Sequence, residues 1–450
     1  MKIRLMFISL LAVCMAACSD ISSGVTVGVR LEGEAMMAPV TIEFRDTTYA
    51  VKLDSRGRGE VKMQGNEGFG SLVYNGTVLP LYVDDKDFTV ALFVRGNSMR
   101  PSFTGKGAKQ NFYMSNARRE LPAYELEETE FIEQLKSALE KAESRLDEQG
   151  FDLDFENLER VRLRYNYMGA LPGYPVYHSM ITKHDDTLSD AYYNELYALL
   201  DGNKEWLELQ EYQNALMVAV NRIALRGIKR TDTSDFIIRQ LQVIKEGIKD
   251  SDVASRVASA MAVRYINDRG IDDLGDYQSL LETLVVVPAD WKSLDNAKSH
   301  WKTISKGCKV PSFGGLVTIK DKELKWEDYK GKYVYLLCWL AASEASVEEM
   351  KALQSLIKEY DDDSVEFIAI AGDGSQQYWN KVIVKNRFGG TQAIAASNRS
   401  FLDAMSVQLY PRAIVVDGEG KIASAVAPLP GSNSVRPFLN ALPGLKSSSK

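Results

Sequence analysis

The hydrophobic pattern of this 450-residue chain changes its period twice, and this change limits the folds open to it. Short alternating runs come first, apolar residues then recur at spacings of three and four, and strand-like runs finally alternate with a helical run. Strands and helices bury side chains with different periods, so the three patterns predict separate domains. We predict a multidomain α+β protein, with a β-sandwich-like domain over residues 25–115, an all-helical domain over 116–304 and an α/β domain over 305–446.

The first eighteen residues predict a lipoprotein signal peptide rather than part of the fold. Lys2 and Arg4 precede an apolar run, Leu5 to Ala17, that is too short to span a bilayer as a helix. The run ends at Cys18 after Met-Ala-Ala, which resembles a lipobox. The alternative is an ordinary cleaved signal peptide with an incidental cysteine.

Acylation of Cys18 would provide the apolar signals that stable membrane anchoring requires. We therefore expect a lipid-anchored protein of the cell envelope, with residues 19–24 as a tether. The outer membrane facing the periplasm is the expected location, and exposure at the cell surface is the alternative.

Composition excludes some classes of partner. The chain has 54 Lys and Arg against 61 Asp and Glu, a formal net charge of -7, whereas nucleic-acid binding needs a clustered surplus of cations. No spacing of Cys, His and Asp resembles a metal site, and Asp152-Leu-Asp154 and Asp361-Asp-Asp363 are interpreted as a solvated cap and loop. We predict no nucleic-acid partner, no metal and no cofactor.

The local pattern predicts seven strands in the first domain and seven helices in the second. The predicted strands are Val25 to Leu31, Val40 to Phe44, Thr48 to Leu53, Gly59 to Lys62, Ser71 to Tyr74, Val78 to Val83 and Phe88 to Val94. The predicted helices are Glu127 to Gln149, Leu153 to Tyr167, Leu188 to Leu200, Lys204 to Ala224, Thr233 to Lys249, Asp252 to Asp268 and Tyr277 to Leu284.

Two interpretations fit the aromatic residues of the helical region. At helical spacing, aromatic side chains usually pack in a core, and the alternative is a surface for a carbohydrate or peptide. The residues concerned are Tyr165, Tyr167, Tyr174, Tyr177, Tyr192, Tyr193, Tyr197, Trp206 and Tyr212.

The third region has the order strand, helix, strand and then two further strands. Its central strand is Tyr333 to Leu340, followed by a helix over Ser346 to Tyr360 and a strand over Val365 to Ala371. Its other landmarks are Val310-Pro-Ser-Phe313, Gly331-Lys332, Trp339, Glu349-Met350, Tyr410-Pro411-Arg412 and Val415-Val-Asp417-Gly-Glu-Gly420-Lys-Ile422.

On these residues, 305–445 resemble the TlpA/AhpC-type thioredoxin-like family, and 25–115 resemble the β-rich domain that often precedes this module in envelope lipoproteins. The resemblance implies a thioredoxin-like α/β domain and thiol-disulfide oxidoreductase activity. Family members place Cys-x-x-Cys just after the strand tryptophan, whereas this chain has Ser343-Glu344-Ala345-Ser346. Both redox positions are therefore serine, and we expect no catalytic residue at this degenerate site.

Disulfide exchange requires a thiolate with a lowered pKa and a second thiol that resolves the mixed disulfide. A nucleophilic serine would need an adjacent base, and His178, His184 and His300 all lie outside the module. We interpret Ser346 and Glu349 as a capping box and Glu344 as an anion favoured by the helix dipole.

The resemblance also implies a cis proline at Pro411, beside the former active site. A groove there could still bind an extended peptide, and we predict Trp339, Glu344, Tyr410 and Pro411 as its residues. Alternatively, Pro411 only maintains the fold.

Cys308 and Cys338 remain as thiols in the predicted mature chain, besides the acylated Cys18. They could form a disulfide, or each could behave as a small buried hydrophobe.

Our leading hypothesis is a lipoprotein that binds or scaffolds a peptide or envelope-protein client without redox chemistry. The alternatives are a TlpA-type thiol-disulfide oxidoreductase that uses Cys308 and Cys338 or the thiol of a partner, and a purely structural envelope component.

Overall fold

The computed structural model describes residues 24–33, 38–45, 47–64, 67–95, 98–117, 120–185, 187–228, 233–360, 364–395 and 398–445. The predicted signal peptide, Cys18, most of the tether and the acidic run Asp361-Asp-Asp363 lie outside these residues. The described residues divide into two compact units, of which the first lies within 1–188 and 205–215 and the second within 189–204 and 216–450.

Two four-stranded sheets enclose one core in the described part of the N-terminal region. Every second residue of β1 is buried from Val25 to Leu31, as expected for a strand with one face on a core. The sheets have the orders β4-β1-β7-β8 and β3-β2-β5-β6, and β1 and β7 are the one parallel pair among these described strands. The strands are β1 (Val25–Gly33), β2 (Val40–Phe44), β3 (Thr47–Val51), β4 (Arg58–Met63), β5 (Gly68–Tyr74), β6 (Thr77–Val83), β7 (Phe88–Arg95) and β8 (Ser98–Gly105).

Strand β8 was not predicted from the sequence. It contains Pro101, which lies opposite Leu92 of β7. A proline cannot donate to a ladder and is tolerated at a sheet edge, and β8 is an edge strand. The N-terminal region is rich in sheet, as predicted, and β8 is an additional edge strand.

Helices fill the middle of the chain, and the region predicted as one helical domain contributes to both units. The helices are α1 (Ala108–Asn116), α2 (Glu128–Asp147), α3 (Leu153–Met168), α4 (Tyr174–Thr182), α5 (Asp190–Ala198), α6 (Gln210–Ala224), α7 (Ser234–Gly247), α8 (Ser251–Arg269), α9 (Leu274–Leu284) and α10 (Pro288–Lys302). Asp152 caps α3 by accepting a hydrogen bond from Phe155 N at 2.9 Å, so the predicted cap is confirmed. Helices α1, α4 and α10 were not predicted.

Most of the aromatic residues in question belong to the core. Tyr165, Tyr167, Tyr174, Tyr192, Tyr193 and Tyr212 are buried, whereas Tyr177 and Tyr197 are exposed and Trp206 is half-buried. Packing is thus the role of the majority.

The C-terminal α/β region has a five-stranded sheet in the order β11-β10-β9-β12-β13. Strands β9, β10 and β11 are parallel, while β12 and β13 are antiparallel to their neighbours. Its elements are β9 (Tyr333–Trp339), α11 (Glu344–Glu359), β10 (Val365–Ala371), α12 (Gln376–Asn386), β11 (Thr391–Ile394), α13 (Ser400–Ala404), β12 (Arg412–Val416), β13 (Ile422–Ala427) and α14 (Val435–Asn440). Strand β9 reads as a continuous apolar run because it is buried along nearly its whole length.

Candidate functional site

The candidate site lies where strand β9 ends and helix α11 begins. Ser343 is the N-cap of α11, and its Oγ accepts a hydrogen bond from Ser346 N at 3.3 Å. Glu344 is exposed in the first turn, where the helix dipole favours a negative charge. Ser343 therefore uses its hydroxyl to cap the start of the helix.

The predicted capping box at Ser346 and Glu349 is wrong by one turn. The N-cap is Ser343, three residues before the predicted cap, and the helix begins at Glu344, so Ser346 is inside it and its side chain has no free amide to cap. The Glu349 carboxylate instead accepts a hydrogen bond from Gly431 N at 2.7 Å.

Ser346 is fully buried, and its Oγ has no hydrogen-bond partner among the described residues. Within the same part of the chain, neither serine hydroxyl contacts an imidazole or a carboxylate by a hydrogen bond. A serine without a neighbouring base is a poor nucleophile. The pair consequently lacks the arrangement of a serine hydrolase.

Asp373 holds the loop that precedes α11. Its Oδ1 accepts a hydrogen bond from Ala341 N at 2.6 Å, and its Oδ2 accepts one from Ala342 N at 3.1 Å. Asp373 follows β10, which is parallel to β9, so both chain segments leave the sheet at the same edge. Sequence analysis missed this residue, although an aspartate just after a buried parallel strand was the available signal.

The peptide bond between Tyr410 and Pro411 is cis. Arg412 lies opposite Cys338 in the antiparallel pairing of β12 and β9, which puts Pro411 beside the end of β9. The predicted cis proline is thus present, and it lies at the same edge of the sheet as Ser343.

Tyr410 packs over Gly372 and contacts Arg399. Arg399 Nη2 donates to Tyr410 Oη at 3.2 Å, and Arg399 Nη1 donates to the Gly372 carbonyl at 3.2 Å. A Cβ atom at Gly372 would lie 2.6 Å from Tyr410 Oη, so the tyrosine requires glycine there. Burial raises the pKa of Tyr410, and the phenol therefore stays neutral.

Trp339 does not belong to a surface groove. Its side chain is fully buried, and its ring packs edge-on against Phe388 with the centroids 6.0 Å apart. The prediction for Trp339 is corrected because the end of β9 points this side chain into the core. Tyr410 and Pro411 are half-buried, and the neighbouring Leu409, which sequence analysis missed, is 57% exposed.

Neither native thiol resembles a redox cysteine. Cys338 is fully buried in β9, and desolvation raises the pKa of its thiol to about 12. Cys308 is half-buried and lies in the segment that precedes β9, where its Sγ is 3.3 Å from the Lys302 carbonyl oxygen. Both are free thiols, so the structure does not contain the alternative disulfide.

Arg412 stabilises the irregular pairing between β12 and β13. Its Nε and Nη2 donate to the Ala425 carbonyl at 3.0 and 2.8 Å, and its Nη1 donates to the Ser406 carbonyl at 2.7 Å. The guanidinium also lies 4.8 Å from the Trp301 ring centroid. Arg412 thus connects the segment that follows Pro411 to Ala425, Ser406 and Trp301.

Among the described residues, no group of three or more His, Cys, Asp or Glu side chains is arranged to hold a metal ion. Over the same residues, the helices are too short or too polar to cross a bilayer.

Comparison with known proteins agrees with this geometry. Residues 331–422 match the sequence profile of a family described as Thioredoxin-like. This part of the chain is a thioredoxin-like domain. It is related to thiol-disulfide oxidoreductases. The chain is 25% identical over 161 residues to the thiol-disulfide oxidoreductase ResA of Bacillus subtilis, covering 35% of this chain and 88% of that protein.

Two solved structures have similar domains. The thioredoxin domain of a thiol-disulfide oxidoreductase from Bacteroides vulgatus is 24% identical with a TM-score of 0.25, covering 27% of this chain and 86% of that one. A thiol-disulfide oxidoreductase from Bacteroides fragilis is 20% identical with a TM-score of 0.27, covering 29% and 99%.

Proposed function

We propose that this protein is an envelope lipoprotein, anchored through Cys18, whose thioredoxin-like domain binds an extended segment of an envelope-protein client without disulfide exchange. The observation that carries the proposal is the use of Ser343 as a helix cap at the position of the expected nucleophilic cysteine. The anchor is supported by the basic start, the apolar run and the lipobox-like end of residues 1–18.

The chemistry of exchange argues against a redox role. A nucleophilic thiolate must be accessible, and a helix N-terminus usually lowers its pKa. Cys338 is enclosed and its raised pKa keeps it protonated at neutral pH. Cys308 is not at a helix N-terminus, and a serine hydroxyl cannot form the S–S bond of a mixed disulfide.

The surface beside Pro411 supports peptide binding. In the described chain, neither the backbone N–H nor the carbonyl of Tyr410 takes part in a backbone hydrogen bond. An extended peptide could pair with these two groups, in the same way that strands add to a sheet edge. Leu409 next to them offers an exposed apolar contact.

A binding experiment tests the client hypothesis. A panel of labelled extended peptides is titrated by fluorescence anisotropy into the protein from Ser19 onward. We expect saturable binding that Leu409→Asp abolishes. The control Val384→Asp should preserve binding, because it introduces the same charge at an apolar residue that is 71% exposed on α12 and is not part of the proposed surface. Absence of saturable binding, or equal binding by both variants, would favour a purely structural component.

The alternative function is thiol-disulfide oxidoreduction. The names of the related proteins favour it, since ResA and the two Bacteroides proteins are described as oxidoreductases. It predicts that wild-type protein reduces disulfides and that replacement of Cys308 or Cys338 abolishes the activity.

A further inference from the structure

The sheet that contains β1 has a basic outer face. In the order β4-β1-β7-β8, every second residue of a strand packs in the core and the residues between them point outward. Five of the outward residues are cations, namely Lys62 and Arg58 on β4, Arg30 on β1, Arg95 on β7 and Arg100 on β8. We call this outward surface the basic sheet face, and all of it belongs to the first unit.

Positive charge exceeds negative charge on this face. Glu32 and Glu60 are the outward carboxylates of the same four described strands, which leaves a surplus of three cations. Described residues next to the strands add one acid for each cation: Asp54 and Arg56 precede β4, Asp87 precedes β7 and Lys106 follows β8. The surplus depends on which residues share the face and holds whatever ion pairs they form. It contrasts with the formal net charge of -7 for the whole chain.

Two arginines of the basic sheet face lie directly opposite each other. The antiparallel pairing of β1 and β4 puts Arg30 opposite Arg58. Like charges at opposite positions destabilise a sheet. Arg30 also forms an ion pair with Glu32 at 3.5 Å, but the two side chains are 51% and 43% exposed, and such pairs contribute little. An anionic surface over the two arginines would lower the repulsion between them.

The rest of the face is flat and carries one large exposed ring. Phe93 is 47% exposed and lies between Glu32 of β1 and Arg100 of β8. The other uncharged outward residues are small: Thr26, Gly28, Thr89, Ala91, Ser98, Ser102 and Thr104. A flat surface with cations and an aromatic ring matches a bilayer, whose phosphate headgroups attract cations and whose interface accepts such rings.

The place of β1 in the chain brings this face close to the proposed lipid anchor. Gly24, where the described residues begin, is six residues after Cys18, and six fully extended residues span at most about 22 Å. Arg30 is five positions after Val25, about 17 Å further along the strand. The strand that follows the tether is thus itself part of the basic sheet face.

We propose that the basic sheet face lies on the anionic surface of the membrane that holds the anchor. Arg30, Arg58 and Arg100 face the phosphate headgroups, and Phe93 lies at the boundary between headgroups and acyl chains. This inference rests on the anchor in the proposed function, because the short tether keeps the face at the bilayer. A cation near an anionic bilayer contributes about 1 kcal/mol, which corresponds to about fivefold in binding.

The test measures which side of the tethered protein meets the lipid headgroups. The protein from Ser19 onward carries an N-terminal histidine tag that binds a nickel-chelating lipid in vesicles, so the tag replaces the acyl group. A fluorophore is attached at Ser102→Cys on the basic sheet face, or at Thr48→Cys on the outward side of the other sheet. Both proteins also carry Cys308→Ala, whereas Cys338 is fully buried and is kept. A nitroxide on the lipid headgroups quenches a fluorophore that comes close to them.

In vesicles of phosphatidylglycerol and phosphatidylcholine, quenching at position 102 should be at least about threefold greater than at position 48. In phosphatidylcholine without phosphatidylglycerol, or in about 0.5 M NaCl, it should fall to the level of position 48, because the attraction is electrostatic and screened by salt. Equal quenching at the two positions in phosphatidylglycerol vesicles would overturn the proposal. So would a signal at position 102 that changes with protein concentration in the absence of vesicles, since a second copy would then cover the face.

Matched variants assign the contact to the arginines. Arg30→Gln, Arg58→Gln and Arg100→Gln together remove an attraction of about a hundredfold, so quenching at position 102 should fall to that at position 48. The control combines Lys136→Gln, Lys141→Gln and Lys183→Gln, which remove the same charge from exposed residues of the same unit and should have no effect. Equal behaviour of the two triple variants would contradict the proposal.

The anchor itself is tested separately, by mass spectrometry of Cys18 in the full chain expressed with its predicted signal peptide. An unmodified Cys18 would refute the anchor and remove the tether on which this inference rests. An acylated Cys18 together with equal quenching at positions 102 and 48 would refute the basic sheet face alone.

Discussion

Cys338 should resist alkylation in the folded protein by a factor that follows from its burial. Desolvation raises the pKa of its thiol from 9.0 to about 12, and its side chain has no exposed surface. At pH 8, a thiol of pKa 9 is about one-tenth thiolate, whereas one of pKa 12 is about one ten-thousandth thiolate. The reactive fraction thus falls about a thousandfold, and the lack of access lowers the rate further.

Timed iodoacetamide labelling at pH 8, followed by peptide mass spectrometry, measures this rate in buffer and in urea. Cys338 should react at least about a thousandfold more slowly in the folded state than in urea, up to the limit set by transient unfolding. Labelling of Cys308 in the same sample confirms that the reagent is active. Protection of Cys338 by less than about thirtyfold would refute the reasoning and make this thiol a candidate for redox chemistry.

Three further outcomes are expected. Ser343→Ala should destabilise the start of α11 by about 1 kcal/mol, while Ser343→Asp keeps the cap, as amide hydrogen exchange of α11 can show. Arg412→Met should lower the free energy of unfolding by about 3 kcal/mol in urea titrations, because the buried Ala425 carbonyl and the partly buried Ser406 carbonyl lose a charged donor, whereas the exposed Arg436→Met should cost less than about 1 kcal/mol. Because the pKa of Cys338 is higher in the folded protein than in the unfolded chain, it stabilises the fold fully below pH 9, and this stabilisation is lost between pH 9 and 12. The free energy of unfolding of the wild type should therefore fall by about 1.4 kcal/mol more between pH 8 and 10 than that of Cys338→Ala. Equal decreases in the two proteins would contradict this.

The order of elements was accessible from the sequence because their hydrophobic periods differ. Strand β9 reads as an uninterrupted apolar run, and β1 alternates as a strand with one buried face should. Strand β8 and helix α10 were missed for a shared reason: each contains a proline, which in a sequence usually indicates the end of a strand or helix. Pro101 is tolerated at the sheet edge and Pro288 begins its helix, and both roles depend on neighbours that local patterns do not show.

At the site, the residue types were predictable but their exact contacts were not. The two serines were visible in the sequence and the cis proline was implied by the family resemblance, whereas the N-cap lies three residues before the predicted one because Ser343 and Ser346 are both capable caps. Asp373 is distant in sequence from the loop that it holds, and it meets that loop only because β9 and β10 are parallel neighbours. The burial of Trp339 likewise depends on the elements that pack against β9, which the local sequence does not show.

Reduction of insulin disulfides in the presence of dithiothreitol is the most direct test of the central claim that the thioredoxin-like domain is redox-inactive. The protein from Ser19 onward should show no rate above the dithiothreitol background, while Ser343→Cys combined with Ser346→Cys should gain activity on the same scaffold. A wild-type rate above background that disappears when Cys308 or Cys338 is replaced by alanine would contradict the claim and establish the oxidoreductase alternative.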